Sequence, residues 1–155
     1  MSPVESDWLN GGSRPSQWGD SMTPTLLLLV EDEALILVDV KDSLHDAGFK
    51  VVAVHDGKQA LAELDADATR FKAVITDVQL GDGPDGWEVG RHARELVPDM
   101  PVIYTSGGSS RDWSSKGVPD SVMIAKPFVA AQLITAVSTL ITNADTRRQA
   151  PPETP

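Results

Sequence analysis

Short, largely apolar runs alternate with segments of helical periodicity along most of the chain, and this alternation restricts its fold more than any other feature. Continuous apolar runs of this kind are typical of strands buried on both faces of a parallel sheet. The segments between them carry apolar residues at spacings of three and four, as amphipathic helices do. The sequence therefore predicts strands at residues 26–30, 51–54, 73–76, 102–105 and 122–125, and helices near residues 36–47, 59–64, 87–97 and 133–141.

Strands that alternate with helices favour an α/β fold in which right-handed crossovers cover both faces of a parallel sheet. We predict a flavodoxin-like, doubly wound (βα)5 fold with five parallel strands in the order 2-1-3-4-5. The fourth helix is expected to be weak or short, because residues 107–121 show little apolar periodicity. In this order the winding reverses between strands 1 and 3, and ligand sites gather there at the carboxyl ends of the strands.

The composition suits one acidic domain. The chain has 155 residues, a net charge of −10 and no cysteine, which excludes disulfides and cysteine-type zinc sites. The excess of acids argues against nucleic-acid binding, and no apolar run is long enough to span a bilayer. We expect a cytoplasmic protein that binds neither nucleic acid nor membrane. The expected organisation is a disordered leader at residues 1–24, one domain at residues 25–142 and a disordered tail at residues 143–155, with no output domain.

Acidic side chains follow two strands that are neighbours in the predicted sheet. Glu31, Asp32 and Glu33 come directly after the first strand, and Asp77 comes directly after the third. Carboxylates about 4 Å apart repel each other by roughly 1–4 kcal/mol per pair, so a converging group needs compensation. Mg²⁺ supplies it, because this ion prefers oxygen ligands. The alternative interpretation is that the first acids only cap a helix and that Asp77 is only a turn residue.

Two further strand ends place polar side chains at the same edge of the sheet. Ser106 follows the fourth strand and offers a hydroxyl group. Lys126 follows the fifth strand, where its positive charge can pair with a carboxylate or with a phosphoryl oxygen. Either residue alone would be typical of a turn or of a solvated surface. An acidic pair, an acid, a hydroxyl and a lysine in that order, each at a strand end, form a far more specific set.

Four segments resemble the signature blocks of the response regulator receiver family. They occur in the family's order across the whole predicted domain, as Leu29–Glu33, Ile75–Val78, Tyr104–Gly107 and Lys126–Phe128. The resemblance implies that Asp77 is the phosphoacceptor, that Ser106 is the switch hydroxyl and that Lys126 contacts the phosphoryl group.

The resemblance also implies a Mg²⁺ site. Asp32 would be a direct ligand beside Asp77, Glu31 would act through water, and Gln79 would contribute its backbone carbonyl. The phosphoryl donor would be a phosphohistidine on a sensor histidine kinase or a phosphotransfer protein, and phosphorylation would switch the interaction with a downstream protein. Such a domain is not an enzyme in the ordinary sense, since it catalyses at most its own phosphorylation and dephosphorylation.

The sequence departs from the family pattern in the region that carries the output. Met123 stands three residues before the lysine, where the family usually has an aromatic side chain that rotates. The loop after Asp77 is longer than usual, and we interpret Asp82 and Asp85 in it as turn residues. Trp113 lies in the weak fourth helix, where it is either a partner anchor or a side chain folded back on the sheet edge.

Three other functions compete with this interpretation. The first is a pseudo-receiver, an unphosphorylated interaction module, which the change at Met123 permits. The second is a Mg²⁺-dependent phosphohydrolase with an aspartate nucleophile, which would need a general acid at position 79, where Gln79 cannot transfer protons. The third is a flavodoxin proper, which is disfavoured because acids after the first strand would repel the phosphate of its cofactor.

Overall fold

The computed structural model describes residues 24–149 and shows strands and helices in regular alternation. In chain order the elements are β1 (Thr25–Val30), α1 (Ala34–Asp46), β2 (Phe49–Val54), α2 (Gly57–Asp67), β3 (Ala73–Asp77), α3 (Gly86–Leu96), β4 (Val102–Ser106), α4 (Trp113–Lys116), β5 (Val122–Ala125) and α5 (Ala130–Gln149), with 3-10 turns at Ala68–Arg70 and Ser110–Asp112. The five strands form one parallel sheet in the order β2-β1-β3-β4-β5. The predicted flavodoxin-like fold is therefore confirmed.

Each face of the sheet carries its own apolar core. On one face, side chains of α2 and α3 pack against alternate residues of the strands, among them Leu28, Val74 and Tyr104. On the other face, α1 and α5 pack against the residues in between, such as Leu29 and Ile75. Strands β3 and β4 are buried along their whole length, which explains why each begins with three apolar residues in sequence.

The register of the strands brings four chain segments to one edge. Val30 at the end of β1 lies beside Thr76 of β3, so the residues that follow them leave the sheet together. Asp77 pairs with Thr105 of β4, and Ser106 pairs in turn with a residue of β5. The carboxyl ends of β1, β3, β4 and β5 therefore meet where the winding reverses, as the strand order requires.

The fourth helix is short, as predicted. It consists of a 3-10 turn followed by the four residues of α4. The indole Nε1 of Trp113 donates a hydrogen bond to Ser121 Oγ at 2.9 Å. The residue remains 38% exposed to solvent. Trp113 thus folds back toward the start of β5 and still presents part of its ring to solvent.

The prediction of a tail from residue 143 onward is wrong for residues 143–149, which belong to α5. Ala144 is buried, and Arg148 Nε donates to Asp99 Oδ2 at 2.6 Å. The sequence did not reveal this part of the helix, because most residues of the segment 143–149 face outward and are polar. Of the predicted leader only Pro24 lies within the described residues; residues 150–155 of the predicted tail also lie outside them. Within residues 24–149, none of the helices has the length and hydropathy that crossing a membrane requires.

Candidate functional site

The acids that follow β1 and β3 meet at the carboxyl edge of the sheet. Carboxylate oxygens of Glu31, Asp32 and Asp77 all lie within 4.8 Å of one another. Glu31 and Asp77 are buried, whereas Asp32 is exposed. The structure therefore brings together three of the residues that the sequence placed at the predicted metal site.

Backbone hydrogen bonds fix the end of β3 that carries Asp77. Thr76 Oγ1 donates to the Asp77 carbonyl oxygen at 2.9 Å, and the Val78 amide donates to the Thr105 carbonyl oxygen at 2.9 Å. The Gly86 amide, at the start of α3, donates to the Val78 carbonyl oxygen at 2.8 Å. A Cβ at Gly86 would overlap the backbone of Asp77, so only glycine lets α3 begin this close to the strand end.

The acids after β1 are not explained by helix capping. Glu33 is the N-cap residue of α1, yet its side chain makes no capping hydrogen bond within the described part of the chain. The buried Glu31 accepts a hydrogen bond from the Glu33 amide at 3.1 Å, and its own amide donates to the Val54 carbonyl oxygen at 3.1 Å. In contrast, Asp85 Oδ1 caps α3 by accepting from the Glu88 amide at 2.9 Å, in agreement with its interpretation as a turn residue.

Lys126 reaches the acids from the end of β5. Its Nζ donates to Glu31 Oε1 at 2.8 Å and to Asp77 Oδ2 at 3.2 Å, and it lies 4.0 Å from Glu33 Oε1. The Lys126 amide donates to the Ser106 carbonyl oxygen at 2.8 Å, which holds the lysine in place. The ammonium group of Lys126, which follows β5, thus contacts acids at the ends of β1 and β3, two strands that do not border β5 in the sheet.

Burial sets the protonation preferences of the site. It raises the pKa of Glu31, and the hydrogen bond from Lys126 offsets only part of this effect. It also raises the pKa of Asp77, again against the influence of Lys126, while the charge of Asp32 acts in the same direction as burial. Burial alone would lower the pKa of Lys126, but its bonds to Glu31 and Asp77 outweigh that effect and leave the pKa raised. The three clustered carboxylates, Glu31, Asp32 and Asp77, outnumber the single ammonium group of Lys126, so the site carries an excess of negative charge.

The donor set fits a hard divalent cation. Opposite oxygen ligands of an octahedral Mg²⁺ lie about 4.2 Å apart at metal–oxygen distances of about 2.1 Å. The oxygens of the three carboxylates lie within 4.8 Å of one another, a spacing that suits an ion bound directly by two of them and through water by the third. A cleft of about 340 Å³ opens beside the acids, with room for water or a phosphoryl group; it is lined by Asp32, Glu33, Asp77, Gln79, Gly81, Gly107 and Lys126.

The hydroxyl group of Ser106 is engaged in its own loop. The residue is buried, and Oγ accepts hydrogen bonds from the amides of Gly108 at 3.1 Å and Ser109 at 2.6 Å. Gln79 lines the cleft, but its side-chain amide donates to Ser109 Oγ at 3.3 Å. Ser109 therefore links the loops after β3 and β4.

Sequence reasoning placed Glu33 among the converging acids without giving it a role of its own, and it missed Ser109. Glu33 lines the cleft near Lys126, although it could be taken for an ordinary helix acid. Ser109 ties the two loops together, and nothing in a polar Gly-Ser stretch distinguishes it from its neighbour Ser110.

Residues 27–138 match the response regulator receiver domain family. The chain belongs to this family. Among solved structures, the response regulator receiver protein from Sinorhizobium medicae WSM419 is 46% identical, with a TM-score of 0.76, over 79% of this chain and 98% of that one. The fold and the converging acids are thus those of a receiver domain of two-component signalling.

Two more distant proteins resemble this receiver domain. One is the receiver domain of sensor histidine kinase PA1611 from Pseudomonas aeruginosa PAO1, whose structure has a magnesium ion coordinated in the active site cleft; it is 25% identical, with a TM-score of 0.68, over 77% of this chain and 99% of that one. The other is the transcriptional regulatory protein PrrA of Mycobacterium leprae, 32% identical over 74% of this chain and 49% of that protein. The chain spans about half the length of the first curated relatives it matches.

Proposed function

We propose that this receiver domain accepts a phosphoryl group on Asp77 in a Mg²⁺-dependent reaction and thereby switches its interaction with a partner protein. The observation that carries the proposal is the position of the Lys126 ammonium group, 2.8 Å from Glu31 and 3.2 Å from Asp77, beside an open cleft. A buried nucleophile that faces both a cation and a group of acids suits phosphoryl transfer, which depends mainly on positioning and electrostatics.

The residues that would hold Mg²⁺ are Asp32, Asp77 and the backbone carbonyl of Gln79, with Glu31 acting through water. When bound, the ion would neutralise charge on the phosphoryl oxygens and screen the acids from one another. The magnesium-bearing receiver domain of the P. aeruginosa kinase supports this assignment. Together with Lys126, the bound ion would also favour the ionised forms of the buried Glu31 and Asp77.

The chain's own residues would carry the transfer as follows. A carboxylate oxygen of Asp77 forms a bond to phosphorus while the bond from phosphorus to the imidazole nitrogen of a donor phosphohistidine breaks. The electron pair of that bond leaves with the imidazole. Lys126 stabilises the phosphoryl oxygens with its ammonium group, and the product is an acyl phosphate on Asp77. Ser106 then turns its hydroxyl toward the phosphoryl group.

Mass spectrometry of the intact chain tests the proposal. After incubation with acetyl phosphate and Mg²⁺, we expect a gain of one phosphoryl group that base treatment removes and that chelation of Mg²⁺ prevents. Asp77→Asn should abolish this gain. The matched control is Asp82→Asn, an exposed acid in the adjacent loop, which should be phosphorylated as the unaltered chain is.

A phosphoryl group that persists on Asp77→Asn would overturn the assignment of the phosphoacceptor. A chain that never takes up phosphate would favour the pseudo-receiver, an interaction module in which Lys126 only neutralises the acids. The proposed donor is a sensor histidine kinase or a phosphotransfer protein in the cytoplasm, and the downstream target is a protein. The curated relatives that are named transcriptional regulatory proteins agree with a role in signalling.

A further inference from the structure

Residues 107–121 connect β4 to β5 and form what is here called the strap. The start of the strap is held by Ser106, whose Oγ accepts hydrogen bonds from the amides of Gly108 and Ser109 at 3.1 and 2.6 Å. These two bonds fold the chain sharply after β4 and lead it into the 3-10 turn and the short α4. The same hydroxyl belongs to the proposed phosphorylation site.

The end of the strap is held by Tyr104, which lies two residues before Ser106 and therefore on the same face of β4. Its hydroxyl oxygen accepts a hydrogen bond from the Val118 amide at 3.1 Å, and the side chain is fully buried. The Ser121 hydroxyl donates to the Val118 carbonyl oxygen at 2.6 Å and secures the same end. Two hydroxyl groups of one strand thus hold opposite ends of the strap.

The Tyr104 ring is fully buried and closely packed. Its hydroxyl lies directly against Gly90 of α3, where a Cβ would overlap the oxygen. The Trp87 ring packs on it with centroids 4.8 Å apart and planes tilted by 54°. Met123 is its register partner on β5, at the position where the receiver family usually carries a rotating aromatic residue. In this chain an aromatic side chain lies instead on the neighbouring strand, where it is fully buried.

We infer that Tyr104 is the anchor about which the strap moves when Asp77 is phosphorylated. This inference rests on the proposed function. A rotation that brings Ser106 Oγ toward a phosphoryl group in the cleft carries it away from the Gly108 and Ser109 amides, so the strap is released at its start. Val118 stays bound to Tyr104, so the movement is a swing about one end and not a general loosening of the strap. Trp113 is hydrogen-bonded to Ser121 at the held end, so it stays with that end.

Amide hydrogen exchange resolved by residue tests the inference in the full chain. In the absence of a phosphodonor, Tyr104→Phe should speed exchange at the Val118 amide about three- to tenfold, the effect expected for one hydrogen bond. Phosphoryl uptake from acetyl phosphate and Mg²⁺ should stay within about twofold of the unaltered chain. Thr139→Val, which removes an exposed hydroxyl on α5, is the matched control and should leave Val118 unchanged.

Two further measurements locate the moving end. Phosphorylation of the unaltered chain should speed exchange at Gly108 and Ser109 and leave Val118 protected. Ser106→Ala should speed exchange at Gly108 and Ser109 without any phosphodonor, again without effect on Val118. Unchanged exchange at Val118 in Tyr104→Phe, or equal loss of protection at Val118 and Ser109 on phosphorylation, would overturn the inference. Absence of phosphoryl uptake by the unaltered chain would instead overturn the proposed function, and the unphosphorylated variants keep the two failures apart.

Discussion

At the scale of single residues, the site is a place where charges work against the stability of the fold. Asp77 is buried beside other carboxylates, and burial raises its pKa. A carboxyl group whose pKa is raised by folding stabilises the folded state in its protonated form and destabilises it when ionised. Under the proposed function the repulsion is retained because Asp77 must be ionised to act as the nucleophile, so function and stability conflict at this residue.

Replacing the charge of Asp77 should therefore stabilise the protein when Mg²⁺ is absent. We expect Asp77→Asn to raise the midpoint of thermal unfolding at neutral pH by about 3–5 °C, the equivalent of about 1 kcal/mol. Lys126 keeps its partner Glu31 in this variant, so no ammonium group is left unpaired. Differential scanning calorimetry checks the value, and the exposed Asp82→Asn should shift the midpoint little.

The difference in stability between Asp77→Asn and the unaltered chain should depend on pH. Because folding raises the pKa of Asp77, the folded state binds more protons than the unfolded state between the ordinary and the raised value. As the pH falls through the raised pKa toward the ordinary value of about 4, the unaltered chain therefore gains stability relative to Asp77→Asn. The gap between the two midpoints should narrow over this range. A gap that widens on acidification would contradict the raised pKa.

At the scale of elements, close packing between α3 and β4 has a clear signature in sequence. Gly90 lies in the middle of α3, where glycine weakens a helix by about 1 kcal/mol relative to alanine. Glycine is required there because the Tyr104 hydroxyl occupies the space of a Cβ. The unfavourable helix propensity is the cost of this close approach.

Gly90→Ala should accordingly destabilise the protein despite the better helix propensity of alanine. We expect a loss of about 1–3 kcal/mol from overpacking, measured by urea denaturation. Combining it with Tyr104→Phe, which removes the overlapping oxygen, should recover part of the loss. Equal stability of Gly90→Ala and the unaltered chain would show that the contact between α3 and β4 leaves room for a Cβ at position 90.

The last two turns of α5 belong to the fold, although their sequence is polar. Ala144 is buried against the domain, and the Arg148–Asp99 ion pair lowers the pKa of Asp99 through the hydrogen bond from Arg148. A carboxylate with a lowered pKa contributes stability above its ordinary pKa and loses it as the pH falls through the lowered value. The contribution is small here because both side chains are partly exposed.

A charge placed at Ala144 tests this boundary. Ala144→Asp should lower the free energy of unfolding by about 2 kcal/mol or more, because it buries a carboxylate without a partner. Asn143→Asp adds the same charge one residue earlier on the exposed side of the helix and should have little effect. If the two variants were equally stable, the helix would not be docked beyond residue 142.

At the scale of the whole molecule, the acids of the proposed metal site come together only in the folded chain. Asp32 and Asp77 are far apart in sequence, and the parallel pairing of β1 with β3 brings them together. A ligand that binds only the folded state stabilises it by RT ln(1 + [L]/Kd), or about 2.7 kcal/mol at a hundred times Kd. Metal binding at the proposed site would therefore be coupled to global stability.

Mg²⁺ should raise the midpoint of unfolding of the unaltered chain in a saturable manner. Asp32→Asn should weaken this response at least severalfold, because a direct ligand loses its charge while the exposed position tolerates the change. Thermal scans across a Mg²⁺ titration measure both chains, and Asp112→Asn, a partly exposed acid on the strap that pairs with Lys116, serves as the control. The same response in Asp32→Asn and the unaltered chain would exclude Asp32 as a ligand.

The sequence by itself determined the order of elements, the strand order, the short fourth helix and the chain segments that carry the acids and the lysine. It could do so because strands buried on both faces must be continuously apolar, so that polar residues at their ends are conspicuous. Only the tertiary structure decided that Glu33 lines the cleft, that Ser109 joins two loops, that Tyr104 holds Val118 and that α5 continues to Gln149. These features depend on contacts between residues distant in sequence, and their polar or small side chains carry no periodic signal of their own.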